Sequence, residues 1–276
     1  MSEKKTISIL GCGWLGLPLA CAFLSEGYTV RGSTTHAEKL KMLEAEGINP
    51  YLIRLDPDLN ADHDPTFFQS DILIINIPPG RRRENVETFY PTQIQAIIAK
   101  QPAPKIIFVS SSSVYPDVNR VVTEVDSPTP ENVDGLVRSS GKALLLAEQL
   151  IQKYSGQATV LRFSGLMGPD RHPGRFLAGK KLDTSGKAPV NYIHLDDCVA
   201  IILQLVQQDV WGEVFNGCAD KHPSKEDFYT QAAKKLGKEP PQFNTEGELS
   251  YKQVSGEKLK QQLSYQFIHP DPLGML

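Results

Sequence analysis

Two kinds of residue in this chain could do chemistry: glycines spaced to admit a charged ligand, and basic or hydroxyl side chains near the ends of apolar runs. The glycines lie in Gly11-Cys12-Gly13-Trp14-Leu15-Gly16, directly after the strand-like run Thr6–Leu10 and before an apolar segment that reaches about Phe23. A G-x-G-x-x-G pattern between a strand and a helix permits a tight turn and lets a pyrophosphate approach the backbone. It also points the helix's free N–H groups and positive dipole end at that ligand. The implied ligand is a dinucleotide, held by Gly11, Gly13, Trp14, Leu15 and Gly16. A β–α turn that binds nothing has the same pattern, so context must carry the rest.

The second apolar run ends Arg31-Gly32-Ser33-Thr34-Thr35, with no Asp or Glu. An NAD site usually places an acid there for the ribose 2′-hydroxyl. An arginine with hydroxyls suits a 2′-phosphate, to which guanidinium groups form charge-assisted bonds. NADP(H) is therefore expected over NAD(H), with Arg31, Ser33 and Thr34 as contacts; the plain alternative leaves Arg31 in solvent. Ligands of open α/β sheets bind beyond the carboxyl ends of the strands. Asp56, Ile77, Pro78 and Ser110 occupy such ends and complete the expected cofactor contacts. Arg81-Arg82-Arg83 follows the fourth run and could meet phosphate, although charge runs are commonly solvated.

The elements that must position these residues alternate. Strands are expected at Thr6–Leu10, "YTVRGST", "YLIRLD", Asp71–Pro78, "KIIFVSSSS" and "ATVLRFSGL", and helices after the glycines, at His36–Glu46, about Glu84–Lys100 and Val137–Tyr154. Such alternation implies a Rossmann-type, doubly wound parallel sheet covered on both faces, an α/β fold. After Gly165 the pattern loosens, and Pro and Gly gather in "GPDRHPGRF" and "KEPPQF". The expected division is a dinucleotide-binding domain of residues 1–165 plus 190–216, with Val190–Asn216 returning to the main sheet. A smaller, sequence-discontinuous substrate lobe takes 166–189 plus 217–276.

Composition narrows the function classes. The chain has 276 residues, 40% of them hydrophobic, and a net charge of −3. A sizeable core is available, and nonspecific nucleic-acid binding is disfavoured. Apolar runs are too short to span a membrane. "MSEKKTISIL" passes straight into a strand and lacks the form of a signal peptide. Cys12, Cys21, Cys198 and Cys218 show no pairing framework. Reduced thiols in a cytoplasmic protein are the simplest reading.

Several segments carry a family resemblance. "FVSSSSVY" and the Tyr192–Ile201 stretch "YIHLDDCVAI" resemble the extended short-chain dehydrogenase/reductases, the superfamily of nucleotide-sugar epimerases and dehydratases. "GCGWLG", "GPDRHPGRFLAGK", "HLDD", "PPQF" and "PDPL" resemble its atypical, YeeZ-like branch along the whole chain. Extended enzymes carry a glycine three residues before the middle one of the loop; this chain has Leu10 there and Gly11 instead. The resemblance implies an NADP- or NAD-dependent epimerase, dehydratase or reductase acting on a sugar-like or nucleotide-linked small molecule.

It also implies a catalytic helix reading Tyr-x-x-x-Lys, with a substrate-holding serine at Ser111, four residues before Tyr115. Aligning "SGKALLLAE" with the family helix puts Ser140 at the tyrosine and Leu144 at the lysine. A second register puts Arg138 at the tyrosine and Lys142 at the lysine. Neither has a tyrosine. A serine alcohol is a far weaker acid than a phenol of pKa about 10. Either Tyr115, His194 or Asp196 takes over proton transfer, or the site binds a dinucleotide without turnover. His194 also reads as an ordinary strand-end residue, and Asp196 or Asp197 as the N-cap of a helix over Leu195–Gln208.

In the resembling enzymes, arginines of the smaller lobe clamp an anionic substrate group. Arg171 and Arg175 hold comparable positions, and His194 is a further substrate candidate. No metal site is expected, since His172 has no partner at ligand spacing. Oligomeric state is left open. Three function classes follow: an NADP-dependent reductase or epimerase, a dinucleotide-binding sensor with a silent redox site, and a nonredox lyase or hydrolase.

Overall fold

The computed structural model describes residues 5–60, 63–80, 83–154 and 157–276. In chain order the elements begin β1 (Thr6–Leu10), α1 (Gly16–Ser25), β2 (Thr29–Thr34), α2 (Leu40–Ala45), β3 (Asn49–Leu52), β4 (Ile72–Ile75), α3 (Val86–Ile98) and β5 (Lys105–Ser111). Next come β6 (Val121–Val122), α4 (Ser139–Gln152), β7 (Gln157–Phe163), β8 (Gly165–Met167), α5 (Gly174–Leu177), β9 (Lys181–Leu182) and β10 (Tyr192–His194). The last are α6 (Leu195–Gln207), β11 (Val214–Gly217), α7 (Lys225–Lys235), β12 (Gln242–Phe243), β13 (Gln253–Val254) and α8 (Glu257–Leu263).

Seven strands form one sheet in the order β11-β7-β5-β4-β1-β2-β3. The β1–β2, β2–β3, β1–β4 and β4–β5 ladders are parallel. From β1 the chain winds outward through β2 and β3, then returns to start again at β4 on the other side. This is a doubly wound Rossmann sheet, whose strand order reverses between β1 and β4, where such folds bind ligands. β4 is the run Ile-Leu-Ile-Ile and is buried at every position, as a parallel strand covered on both faces requires.

The chain divides into two compact units. The first comprises the described residues up to Val114, Thr129–Leu161 and Ile202–Val214; the second comprises Tyr115–Pro128, Arg162–Ile201 and Phe215–Leu276. In the first, α3 and α4 pack on each other. Tyr90, Ile94 and Ile97 of α3 and Ala143, Leu145, Ala147 and Ile151 of α4 are buried. The second unit is tied by three short parallel pairs, β8–β10, β9–β12 and β6–β13. One of its apolar clusters joins Met167, Val190, Tyr192 and Phe228 to Leu273, Met275 and Leu276.

Two expectations change. The sixth strand does not run unbroken from Ala158 to Leu166. Ser164 donates to the carbonyl of Gly217, and Gly165 donates to that of Asn191; there the chain leaves the sheet and β8 pairs with β10. For the same reason Val190–Asn216 does not rejoin the sheet as a whole. Only its end, from Val214, does so in β11. Among the described residues no helix is long and apolar enough to cross a membrane.

Candidate functional site

Each glycine of the loop meets a different steric demand. Gly11 has φ +103°, and a Cβ there would stand 2.7 Å from the carbonyl oxygen of Asn76. Gly16 starts α1, and a Cβ on it would reach 2.1 Å from the carbonyl oxygen of Gly11. A Cβ on Gly13 would meet nothing within 4 Å. The first glycine thus makes the turn, the third allows close packing, and the second leaves open space where a ligand's phosphates would approach. The N-cap Leu15 makes no side-chain capping bond, which suits an anion at this helix end. Trp14 is half-buried beside it. Cys12 within the loop is buried, and burial pushes its thiol up to about 12, so it is no nucleophile.

Ser33 holds the loop from behind. Its Oγ accepts from the amide of Gly11 at 2.9 Å, and its carbonyl accepts from the amide of Cys12 at 2.9 Å. Asn76 adds a bond from its Nδ2 to the Gly11 carbonyl at 3.2 Å. Thr34 is buried and its Oγ1 accepts from the amide of His36.

Arg31 has another task than the expected one. It sits mid-strand, in register with Ser8 and Asn49, and its Nη1 donates to the carbonyls of Thr66 and Gln69. The arginine at the end of β2 is Arg54, whose Nε donates to the Thr35 carbonyl at 3.2 Å. Arg54 is exposed just past β3. Sequence reasoning missed it because it follows the third strand, not the second; parallel β2–β3 pairing brings the two strand ends together.

The other expected contacts sit at strand ends. Asp56 is exposed and lies 3.8 Å from the guanidinium of Arg83. Arg83 also covers the ring of Phe89 at 3.6 Å; Arg81 and Arg82 lie outside the described residues. The Ile77 carbonyl accepts from the Tyr90 hydroxyl at 2.9 Å, and Pro78 is exposed. Ser110 is buried, and its hydroxyl donates to Glu148 of α4 at 2.5 Å.

Ser111 ends β5, half-buried, and its Oγ accepts from the amide of Ser113 at 3.2 Å. α4 passes close by: a Cβ on Gly141 would stand 2.6 Å from the Ser113 carbonyl oxygen. Beside that glycine, Ser140 is half-buried in the first turn. Leu144 points into the core and is buried. Lys142 lies 2.6 Å from Asp134 and 3.5 Å from Glu87, and the bond to Asp134 raises its pKa further. Arg138 is exposed at the N-cap.

Tyr115 lies in the second unit and is enclosed there. Its hydroxyl donates to Asn216 Oδ1 at 3.0 Å and accepts from Arg162 Nη1 at 2.7 Å. Burial raises its pKa, against the opposing pull of Arg162. With 1% of its surface exposed and its only proton donated to Asn216, it is a structural tie, not an exposed acid.

Arg171 and Arg175 are both exposed. Gly174 between them packs tightly, since a Cβ there would meet the Ala232 carbonyl oxygen at 2.3 Å. His172 accepts from the Gly174 amide through Nδ1 at 3.1 Å.

The acids after β10 do not serve as N-caps. Asp197 is fully buried and accepts from the Tyr265 hydroxyl at 2.7 Å and the amides of Ile268 and His269 at 2.7 and 3.1 Å. Asp196 Oδ2 lies 3.2 Å from His194 Nδ1 and 2.9 Å from His269 Nε2. Burial, then the neighbouring His269, lowers the pKa of His194.

The model of the NAD dependent epimerase/dehydratase family matches residues 7–217. Protein YeeZ of Escherichia coli strain K12 is 38% identical over 278 residues, spanning 98% of this chain and 98% of YeeZ. A solved structure of a functionally unknown conserved protein from Silicibacter pomeroyi aligns with a TM-score of 0.75 at 22% identity, over 99% of this chain and 96% of that one. UDP-glucuronic acid 4-epimerase from Bacillus cereus, in complex with UDP-glucuronic acid and NAD, aligns with a TM-score of 0.76 at 19% identity, over 98% and 97% of the two chains. At those identities the two structures speak to fold alone.

Proposed function

The chain belongs to the NAD dependent epimerase/dehydratase family, and we propose that within it this protein binds NADP(H) and is a weak hydride-transfer catalyst on a sugar-like or nucleotide-linked substrate. The observation that carries the reading is the state of α4. Its candidate proton-transfer positions are a serine, a leucine in the core and a lysine paired to two carboxylates. None of these is a phenol poised beside an unpaired ammonium. The Cβ clearances at Gly11, Gly13 and Gly16 and the uncapped start of α1 support the dinucleotide half of the reading.

The bound dinucleotide would supply the hydride. This chain's residues would hold its pyrophosphate at Gly11–Gly16 and its 2′-phosphate near Ser33, Thr34 and Arg54, while Ser111 meets the substrate hydroxyl. NADP(H) preference rests on a β2 end without a carboxylate and on Arg54 beside it. Arg171 and Arg175 are assigned to an anionic group of the substrate, as arginines exposed around a tightly packed turn. The enclosed Tyr115 hydroxyl favours a second reading, a dinucleotide sensor with a silent redox site.

Calorimetric titration with NADPH and NADH tests the binding, and a panel of nucleotide-sugars and small ketones tests turnover. Expected are tighter binding of NADPH and a rate about 10²–10⁴-fold below members with the Tyr-x-x-x-Lys pair, the usual worth of a positioned acid–base group. Wild-type turnover equal to such members overturns the weak-catalyst reading. Equal or tighter NADH binding overturns the cofactor choice. Absence of turnover with tight NADPH binding selects the sensor.

A further inference from the structure

The second unit contains a cluster that the dinucleotide reading does not use. His194 at the end of β10, Asp196 in the first turn of α6 and His269 in the segment after α8 bring one ligand atom each to within 4.8 Å of one another. The two imidazole rings are 3.9 Å apart, centroid to centroid. Asp196 and His269 are 73 positions apart in sequence, so no ligand spacing announces the group.

We propose that His194 Nδ1, Asp196 Oδ2 and His269 Nε2 form a binding site for a divalent transition ion of the zinc class, with water completing the coordination. Three observations converge on it. The first is spacing. Bonds of about 2.0–2.2 Å in a tetrahedral site put neighbouring ligand atoms roughly 3.3–3.5 Å apart. The carboxylate oxygen stands 3.2 and 2.9 Å from the two ring nitrogens, near that spacing, and the two nitrogens lie within 4.8 Å of each other.

The second is protonation. His194 Nδ1 accepts from the Asp196 amide at 3.2 Å. A nitrogen that accepts carries a lone pair and no proton. That single in-plane lone pair is the one an ion would take, displacing the Asp196 amide, and the Asp196 carboxylate oxygen stands 3.2 Å from the same nitrogen. Two imidazole nitrogens and one carboxylate oxygen suit zinc, which takes nitrogen and oxygen donors without a redox change.

The third is support. The buried carboxylate of Asp197 takes the amides of Ile268 and His269, which fixes the segment that carries the third ligand. His194 is only 13% exposed at its side chain, while Asp196 is 55% exposed. The donors are therefore held from below, and the cluster opens to solvent at the carboxylate. A bound ion would tie the segment after α8 to the start of α6.

The test uses tag-free, full-length protein stripped with a chelator and then titrated with Zn²⁺ by calorimetry. Co²⁺ absorption serves as a second reading, because four-coordinate cobalt absorbs far more strongly than hydrated cobalt. One equivalent should bind, with cobalt bands of the four-coordinate kind and a raised melting temperature. H194Q, D196N and H269Q should each lose that binding or weaken it at least about tenfold, while H172A and C21S keep it. Melting curves in chelator report whether each variant folds; if one does not, the other two decide. No stoichiometric binding to wild type, or binding that survives all three substitutions, overturns the proposal and leaves a hydrogen-bonded His–Asp–His group.

Discussion

The carbonyl oxygen of Gly11 lies 2.1 Å from where a Cβ on Gly16 would stand, whereas Gly13, between them, has no neighbour within 4 Å of its own Cβ position. The two glycines therefore fail in different ways when replaced. G16A should destabilise the protein by about 1–3 kcal/mol, the usual cost of overpacking. G13A should leave stability within about 0.5 kcal/mol, as surface substitutions do, yet weaken dinucleotide binding. Urea unfolding paired with NADPH titration separates the two. Unchanged NADPH affinity in G13A would count against the cradle.

The two arginines near β2 make a second pair of opposites. R54A should weaken NADPH binding by about 1.5–3 kcal/mol, the worth of a charge-assisted bond, with little effect on NADH. R31A should leave both affinities alone and cost about 1–2 kcal/mol of stability, because the carbonyls of Thr66 and Gln69 lose the guanidinium that ties them to β2. Should R31A be the variant that loses NADPH selectivity, the assignment to Arg54 is wrong.

Tyr115 gives a third test. Y115F removes the hydroxyl that links Arg162 to Asn216. Asn216 Oδ1 then loses its donor while Arg162 keeps Ser127; a buried acceptor left unpaired costs about 1–3 kcal/mol, so chemical unfolding should show that loss. Any turnover the wild type has should persist in Y115F at temperatures where it is folded. A large fall in kcat at unchanged stability would return Tyr115 to the role of proton donor.

Introducing a Tyr-x-x-x-Lys pair on α4 is a fourth. S140Y/L144K puts phenol and ammonium on α4. Leu144 is buried, and an ammonium there must be desolvated, which destabilises the fold. The double variant should melt earlier than wild type. If it still turns over the ketone panel with NADPH faster than wild type, the cofactor is already held competently. If the folded variant shows no gain, the loss lies elsewhere than in the helix.

Acid sensitivity is a fifth. His172, His194 and His222 all have pKa values lowered from 6.5, each first by burial. The unfolded chain binds protons on these side chains before the folded one does. Their neutral forms favour the fold, so stability is full above about 6.5 and declines as pH falls through that value towards the lower folded values. Urea midpoints measured between neutral and mildly acid pH should fall. In H222Q the fall should be shallower, since the ring bonded to the Val190 carbonyl no longer titrates.

The parallel sheet was legible because its cause is local: β4 is four consecutive apolar residues between polar ones, and the glycine loop sits directly after β1. The roles of single polar side chains were not. Arg31 reads as a phosphate ligand until the Thr66 and Gln69 carbonyls are placed, 35 and 38 positions away. Asp197 reads as an N-cap until Tyr265 and His269 fold back onto it. A hydroxyl or a charge is satisfied by whichever partner the tertiary fold delivers, and composition near the residue does not say which. Gly141 is similar, since its need for close approach to Ser113 appears only once α4 is laid against the end of β5.

The division of the chain bears on its inheritance. Each compact unit is assembled from three separate stretches, so the backbone passes from one to the other five times. No single cut yields either unit whole, and no single crossover between genes could transplant one into another protein. A lineage with this connectivity can change ligand only by substitution and loop exchange within an intact frame. A relative that shares this connectivity should then align across the stretches of both units, as Protein YeeZ does at 38% identity over 98% of the chain.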